Sequence, residues 1–167
     1  MENKVVSRIA RYVSAAGIEA IRFNFRGAGQ SQGSYDEGRG ERDDLTAVID
    51  FVHKTSPQAK LAIAGFSFGA WIGLAVGAQN AKVAVLAGVA PPVRMFDFKF
   101  LGLTSKPTLI VYAGNDQFTD ASTMQAWLEH APKSTESVLI PEVDHFFGPR
   151  VDEAGKDVAE FLNRSLK

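Results

Sequence analysis

Leu61-Ala62-Ile63-Ala64-Gly65-Phe66-Ser67-Phe68-Gly69-Ala70-Trp71 is the stretch on which the reading of this chain turns. An almost unbroken apolar run from Leu61 to Phe66 has the pattern of a strand buried on both faces of a sheet. It ends at a serine, and the small-residue stretch from Ser67 to about Gln79 reads as a helix. Gly-x-Ser-x-Gly is a short string that chance also produces, so its context must carry the meaning. A serine between a buried strand and a helix sits on a sharp turn that can project its hydroxyl from the sheet edge. Gly65 and Gly69 are expected to remove side chains that would collide where strand and helix approach. The helix start adds amide donors and the positive end of a dipole near the reacting oxygen. The competing role for Ser67 is that of an ordinary helix N-cap.

Upstream, Val5, Val6, Ile9, Tyr12 and Val13 recur at helical spacing, and Gly17 supplies the stop. Ile18 to Phe25 reads as a short strand, followed by a glycine-rich turn from Arg26 to Gly40 and a helix from about Glu41 to His53. Downstream come strands Val83 to Val89 and Thr108 to Ala113, a helix from about Ala121 to His130, a strand Ser137 to Pro141 and a closing helix of about Val151 to Leu166. This alternation predicts one α/β domain over residues 1–167, a three-layer α/β/α sandwich around a mostly parallel sheet. Ala90 to Lys106, with Phe96, Phe98 and Phe100, reads as a short edge strand or an aromatic loop covering the core, with a substrate wall the less favoured role.

A serine hydroxyl needs a base, and the base an orienting acid. Of three histidines, His53 and His130 lie near helix ends, where a cation suits the dipole and no further role is needed. His145, in Glu142-Val143-Asp144-His145-Phe146-Phe147, follows a strand at the carboxyl edge where parallel sheets place their sites. Asp116, in Ala113-Gly114-Asn115-Asp116-Gln117, follows the preceding strand at the same edge. Asp120 is better explained as a helix N-cap, and Asp144 adjoins His145 too closely to face its ring.

Lys and Arg total 18 against 19 Asp and Glu, with no basic run, so the footprint of a nucleic-acid binder is missing. With no cysteine, disulfides, thiolate metal sites and a cysteine nucleophile are excluded. Met-Glu-Asn-Lys does not open a secretory signal, and no run of about twenty apolar residues offers a membrane span. A cytoplasmic protein is the expectation, with no membrane partner, and its oligomeric state is not readable. Gly27-Ala28-Gly29 with Gly33 offers a rival reading as a dinucleotide site, but the spacing is wrong and the helix starts too late.

The order Ser67, Asp116, His145, each after a successive strand, resembles the α/β-hydrolase superfamily. Arg22 to Ser31 (Arg-Phe-Asn-Phe-Arg-Gly-x-Gly-x-Ser), Asp36 to Glu41 (Asp-Glu-Gly-x-Gly-Glu), Ala64 to Trp71 and Asp144 to Phe147 are most similar to its small, lidless prokaryotic hydrolases. That group is related to dienelactone hydrolases and serine-aminopeptidase-like esterases. The resemblance implies a serine hydrolase acting on a small-molecule ester or related acyl compound, without metal or organic cofactor. It also implies a departure. Members begin with further strands, one lying between those matched by Ile18–Phe25 and Leu61–Phe66, and the loop after it supplies an oxyanion-hole amide. The fold is therefore expected to be N-terminally shortened, with Met1 internal in family terms the favoured account and a shortened member with a repacked sheet the other, and Phe68 to be the one assignable oxyanion donor. A non-catalytic or weakly active relative that binds ligands or partners, for want of that oxyanion loop, is the alternative. About seventeen residues separate the strands where larger relatives insert lids, which predicts an open site favouring short or exposed acyl groups.

Overall fold

Strands alternating with amphipathic helices bury all their apolar faces only when helices cover both sides of one sheet. The computed structural model, which describes residues 3–167, has that arrangement; the expectation about Met1 lies outside the described residues. Its elements are α1 (Lys4–Ala15), α2 (Arg39–Thr55), β1 (Leu61–Phe66), α3 (Phe68–Gln79), β2 (Val83–Val89), β3 (Thr108–Ala113), α4 (Ala121–Leu128), β4 (Thr135–Ile140) and α5 (Val151–Ser165). The strands pair in parallel in the order β1-β2-β3-β4. On one face α1 and α5 contribute Val5, Ile9, Val13, Val158, Phe161 and Leu162 against Val85, Ala87 and Val89. On the other, Leu45, Ile49, Ile72, Leu74 and Met124 of α2, α3 and α4 pack on Leu86, Ile110 and Tyr112. Among the described residues no helix is long and apolar enough to cross a membrane.

Two expectations fail at one edge of the sheet. Ile18–Phe25 is not a strand, because it makes no backbone hydrogen bond to β1. It nevertheless follows the alternation of one, with Ile18 and Ala20 against the first core and Phe23 and Phe25 against the second. β1 pairs only with β2, so its other edge is open among the described residues. In consequence the run read as doubly buried leaves Ala64 exposed and Leu61, Ala62 and Ile63 only half-buried. An apolar sequence reports what a strand can bury, and the number of neighbours decides what it does bury.

The remaining differences are smaller. α2 begins at Arg39 and β4 at Thr135, two residues earlier than expected. Ala90–Lys106 is a loop containing a short 3-10 helix, Lys99–Leu103, and not an edge strand. Phe98 and Leu101 are buried there, in the core-covering role. The turn before α2 is tied down by Arg26, whose amide and guanidinium both donate to Asp44 at 2.7 to 3.2 Å. Glu41, only 1% exposed, accepts the amides of Asp36 and Gly38 at 2.9 and 2.8 Å. A buried carboxylate is tolerated there because backbone donors replace its lost water.

Candidate active site

Ser67 links β1 to α3 with φ 53° and ψ −121°, a conformation L-residues rarely adopt. Such a residue stores about 1–3 kcal/mol of strain and persists only where its surroundings dictate it. The surroundings are visible. Its amide donates to Val89 O at 2.9 Å, and its carbonyl accepts from Ala70 and Trp71. Although Ser67 occupies the N-cap position, its side chain makes no capping bond, so the hydroxyl is left for another partner.

The two bracketing glycines turn out to be unequal. A Cβ on Gly65 would lie 2.2 Å from Gly69 O and 2.7 Å from Ala70 N, whereas one on Gly69 would meet nothing within 4 Å. The expectation that both glycines relieve the strand–helix approach is therefore corrected to Gly65 alone.

The hydroxyl's partner is His145. Nε2 of His145 lies 2.9 Å from Ser67 Oγ, and Nδ1 lies 2.7 Å from Asp116 Oδ2. A carboxylate can only accept, so Nδ1–H donates to Asp116 and Nε2 accepts the Ser67 hydroxyl proton. His145 and Asp116 are buried, at 2% and 6% exposure, which strengthens both contacts relative to water. The loops after β3 and β4 hold the pair in place. Gly114 and Asn115 donate their amides to Ile140 O and Val143 O, and the other oxygen of Asp116 accepts the amides of Phe118 and Thr119.

The competing residues are spoken for elsewhere. Asp120 caps α4 by accepting the Thr123 amide; the Ser122 hydroxyl, and after it this amide, hold its carboxyl far below the usual range. Asp144 accepts the Phe146 amide and does not face the imidazole of His145. His130 Nδ1 bonds Ala126 O one turn back on the terminus of α4. Phe68 opens α3, and neither its amide nor that of Gly69 is taken by an acceptor among the described residues. Both are the orphan donors of a helix start, and the Phe68 amide follows Ser67 directly.

Rings crowd the site. His145 is contacted by Phe66, Phe118 and Phe146, with centroids 5.0, 4.7 and 5.3 Å away. The Phe68 ring meets those of Phe25, Tyr35, Trp71 and Phe96 at 5.7 to 6.0 Å. Phe118 escaped the sequence reading, since a phenylalanine two places after a loop aspartate carries no motif. Its signal is only that an apolar residue stands in an otherwise polar loop.

The glycines of the rival dinucleotide reading sit elsewhere. Gly27, Gly29 and Gly33 all have positive φ in a turn that Gly27 N closes on Gln32 O. The cavity beside them is lined by Arg26, Asp36 and Asp44. There Arg26 is already paired with Asp44, so two carboxylates and no spare cation face any phosphate.

A family profile described as serine aminopeptidase, S33, matches residues 2–101. An uncharacterized protein of Rickettsia prowazekii is 31% identical over 171 residues, covering 97% of this chain and 72% of that protein. Among solved structures, an α/β serine hydrolase homologue from Coxiella burnetii is 38% identical with a TM-score of 0.88, over 97% of this chain and 77% of its own. A lidless α/β serine hydrolase from Xanthomonas campestris is 36% identical with a TM-score of 0.91, over 99% and 75%.

Proposed function

Because the chain belongs to the serine aminopeptidase S33 family of α/β hydrolases, we propose that it cleaves a carboxylic ester or related acyl bond of a small molecule through an acyl-enzyme on Ser67. The observation that carries this reading is the unbroken chain Ser67 Oγ, His145 Nε2, His145 Nδ1, Asp116 Oδ2, with links of 2.9 and 2.7 Å.

Ser67 Oγ attacks the acyl carbon while its proton passes to His145 Nε2. Asp116 keeps the imidazole oriented and balances the charge it gains. The tetrahedral oxyanion is met by the Phe68 amide at the positive end of α3. As the ester C–O bond breaks, the departing oxygen takes the proton from Nε2. Water, deprotonated by the same nitrogen, then attacks the acyl-enzyme; the acid leaves and Ser67 regains its proton. No step calls for a metal or organic cofactor. Ser67 is partly open to solvent, which supports access by short or projecting acyl groups.

Labelling with a fluorophosphonate probe tests the proposal. Rapid labelling that Ser67→Ala abolishes is expected; absence of labelling in the folded protein would favour a relative that binds without catalysis.

A further inference from the structure

We propose that Phe118 and Phe146 form the leaving-group subsite beside Ser67, and that it takes the uncharged aromatic alcohol portion of an ester. This rests on the hydrolase reading above. The departing oxygen must collect the proton on His145 Nε2, so it lies within hydrogen-bond reach of that atom. The group attached to this oxygen therefore lies against whatever flanks the imidazole. Three rings do so, and Phe66 among them is buried beneath, at 8% exposure. The other two face outward: Phe118 is 42% and Phe146 52% exposed, with their rings steeply inclined to the imidazole, at 72° and 89°.

Single exposed phenylalanines are unremarkable, but two flanking one base at a partly open nucleophile form an apolar mouth. Both are anchored by backbone. The Phe118 amide donates to Asp116 Oδ1 at 2.7 Å and the Phe146 amide to Asp144 Oδ1 at 3.1 Å. The backbone of both phenylalanines is thus held in the same two loops that carry the site's acid and base. Of the carboxylates in these two loop contacts, that of Asp116 is buried and balanced by the imidazolium, and that of Asp144 disfavours an anionic leaving group. Two flat faces favour an aromatic one through stacked or edge-on contact.

The reaction is the acyl transfer already described. The Ser67 Oγ–acyl bond forms, the ester C–O bond breaks, and the alcohol leaves with the proton from His145.

The experiment compares benzyl acetate with ethyl acetate, which share an acyl group and release unactivated alcohols, so that the kcat/KM ratio reports the alcohol site. A benzyl preference of about tenfold is expected. In the double variant Phe118→Leu/Phe146→Leu the ratio should fall toward one, while in Phe51→Leu, at an exposed phenylalanine on α2, it should stay as in the parent. The ratio is independent of how much of each variant folds. Ethyl acetate turnover with no benzyl preference, or a preference that survives the double substitution, overturns the subsite alone. No turnover of either ester together with an unlabelled Ser67 overturns the hydrolase reading, and the subsite with it.

Discussion

Replacing Gly65 by alanine tests the geometry of the Ser67 turn, because the new methyl has nowhere to go. Its Cβ would stand 2.2 Å from Gly69 O, 2.5 Å from Gly69 C and 2.7 Å from Ala70 N, all backbone atoms of the first turn of α3. Ordinary contact begins near 3.4 Å, so α3 and β1 must part by about 1 Å. A rotamer change cannot relieve a clash with backbone. Overpacking of this kind costs about 1–3 kcal/mol, or about 3–10 °C in Tm for a chain of this size. Ser67 lies between the two segments that must separate, and a displacement of about 1 Å at a reacting group costs about 10²-fold in rate. Gly69→Ala is the matched control, since its Cβ meets nothing within 4 Å and alanine is the better helix former. Thermal unfolding monitored by circular dichroism, with fluorophosphonate labelling rates, reads both effects. Gly65→Ala should lose stability and label slowly, and Gly69→Ala should melt no lower than the parent. Equal losses in the two variants, or an unaffected Gly65→Ala, would refute the reasoning.

Asp116→Asn keeps the size of the side chain, but with its oxygen held by the Phe118 and Thr119 amides it turns a donor NH2 to His145 Nδ1 and selects the wrong tautomer, and kcat should drop by about 10⁴-fold with the fold retained. Asp44 has its carboxyl pKa lowered by the Arg26 hydrogen bond, so its contribution to stability is present above the ordinary carboxylate pKa and lost as pH falls through the lowered one. Denaturant midpoints measured down the acid side should therefore fall less steeply in Asp44→Asn. Asp157 has the opposite sign, raised by burial and by Glu160 and Glu153, so its ionisation opposes folding as pH climbs from the ordinary carboxylate range through the raised pKa. Asp157→Asn should remove that loss in the same titration. Amide hydrogen exchange should find Ile18–Phe25 and β1 less protected than β2 and β3, because the open edge leaves their backbone groups to water. Equal protection would contradict the unpaired edge.

Much of this architecture could be read from local chemistry. Val83–Val89 and Thr108–Ala113 are strands with the expected bounds, because each is a continuous apolar run closed by a turn signal. Asp120 caps its helix by accepting the Thr123 amide, a role aspartate favours at a helix start. Ile18–Phe25 has instead the alternating pattern of a half-buried strand but remains unpaired among the described residues, since strand formation depends on a neighbour's free edge as well as on the segment's own residues. The preference of each residue is local, and pairing is not.

The chemistry of the site divides in the same way. From the sequence alone came the turn at Ser67 and the placement of Asp116 and His145 after successive strands, because residue type and chain order determine which groups end at one edge of a parallel sheet. Tertiary structure decided the rest. Contacts of 2.9 and 2.7 Å depend on two loops converging across 78 and 29 residues of chain. So do the crowding found at Gly65 and absent at Gly69, and the setting of Phe118 and Phe146 against the imidazole. Such contacts join residues remote in sequence, and their distances exist only once the chain has packed.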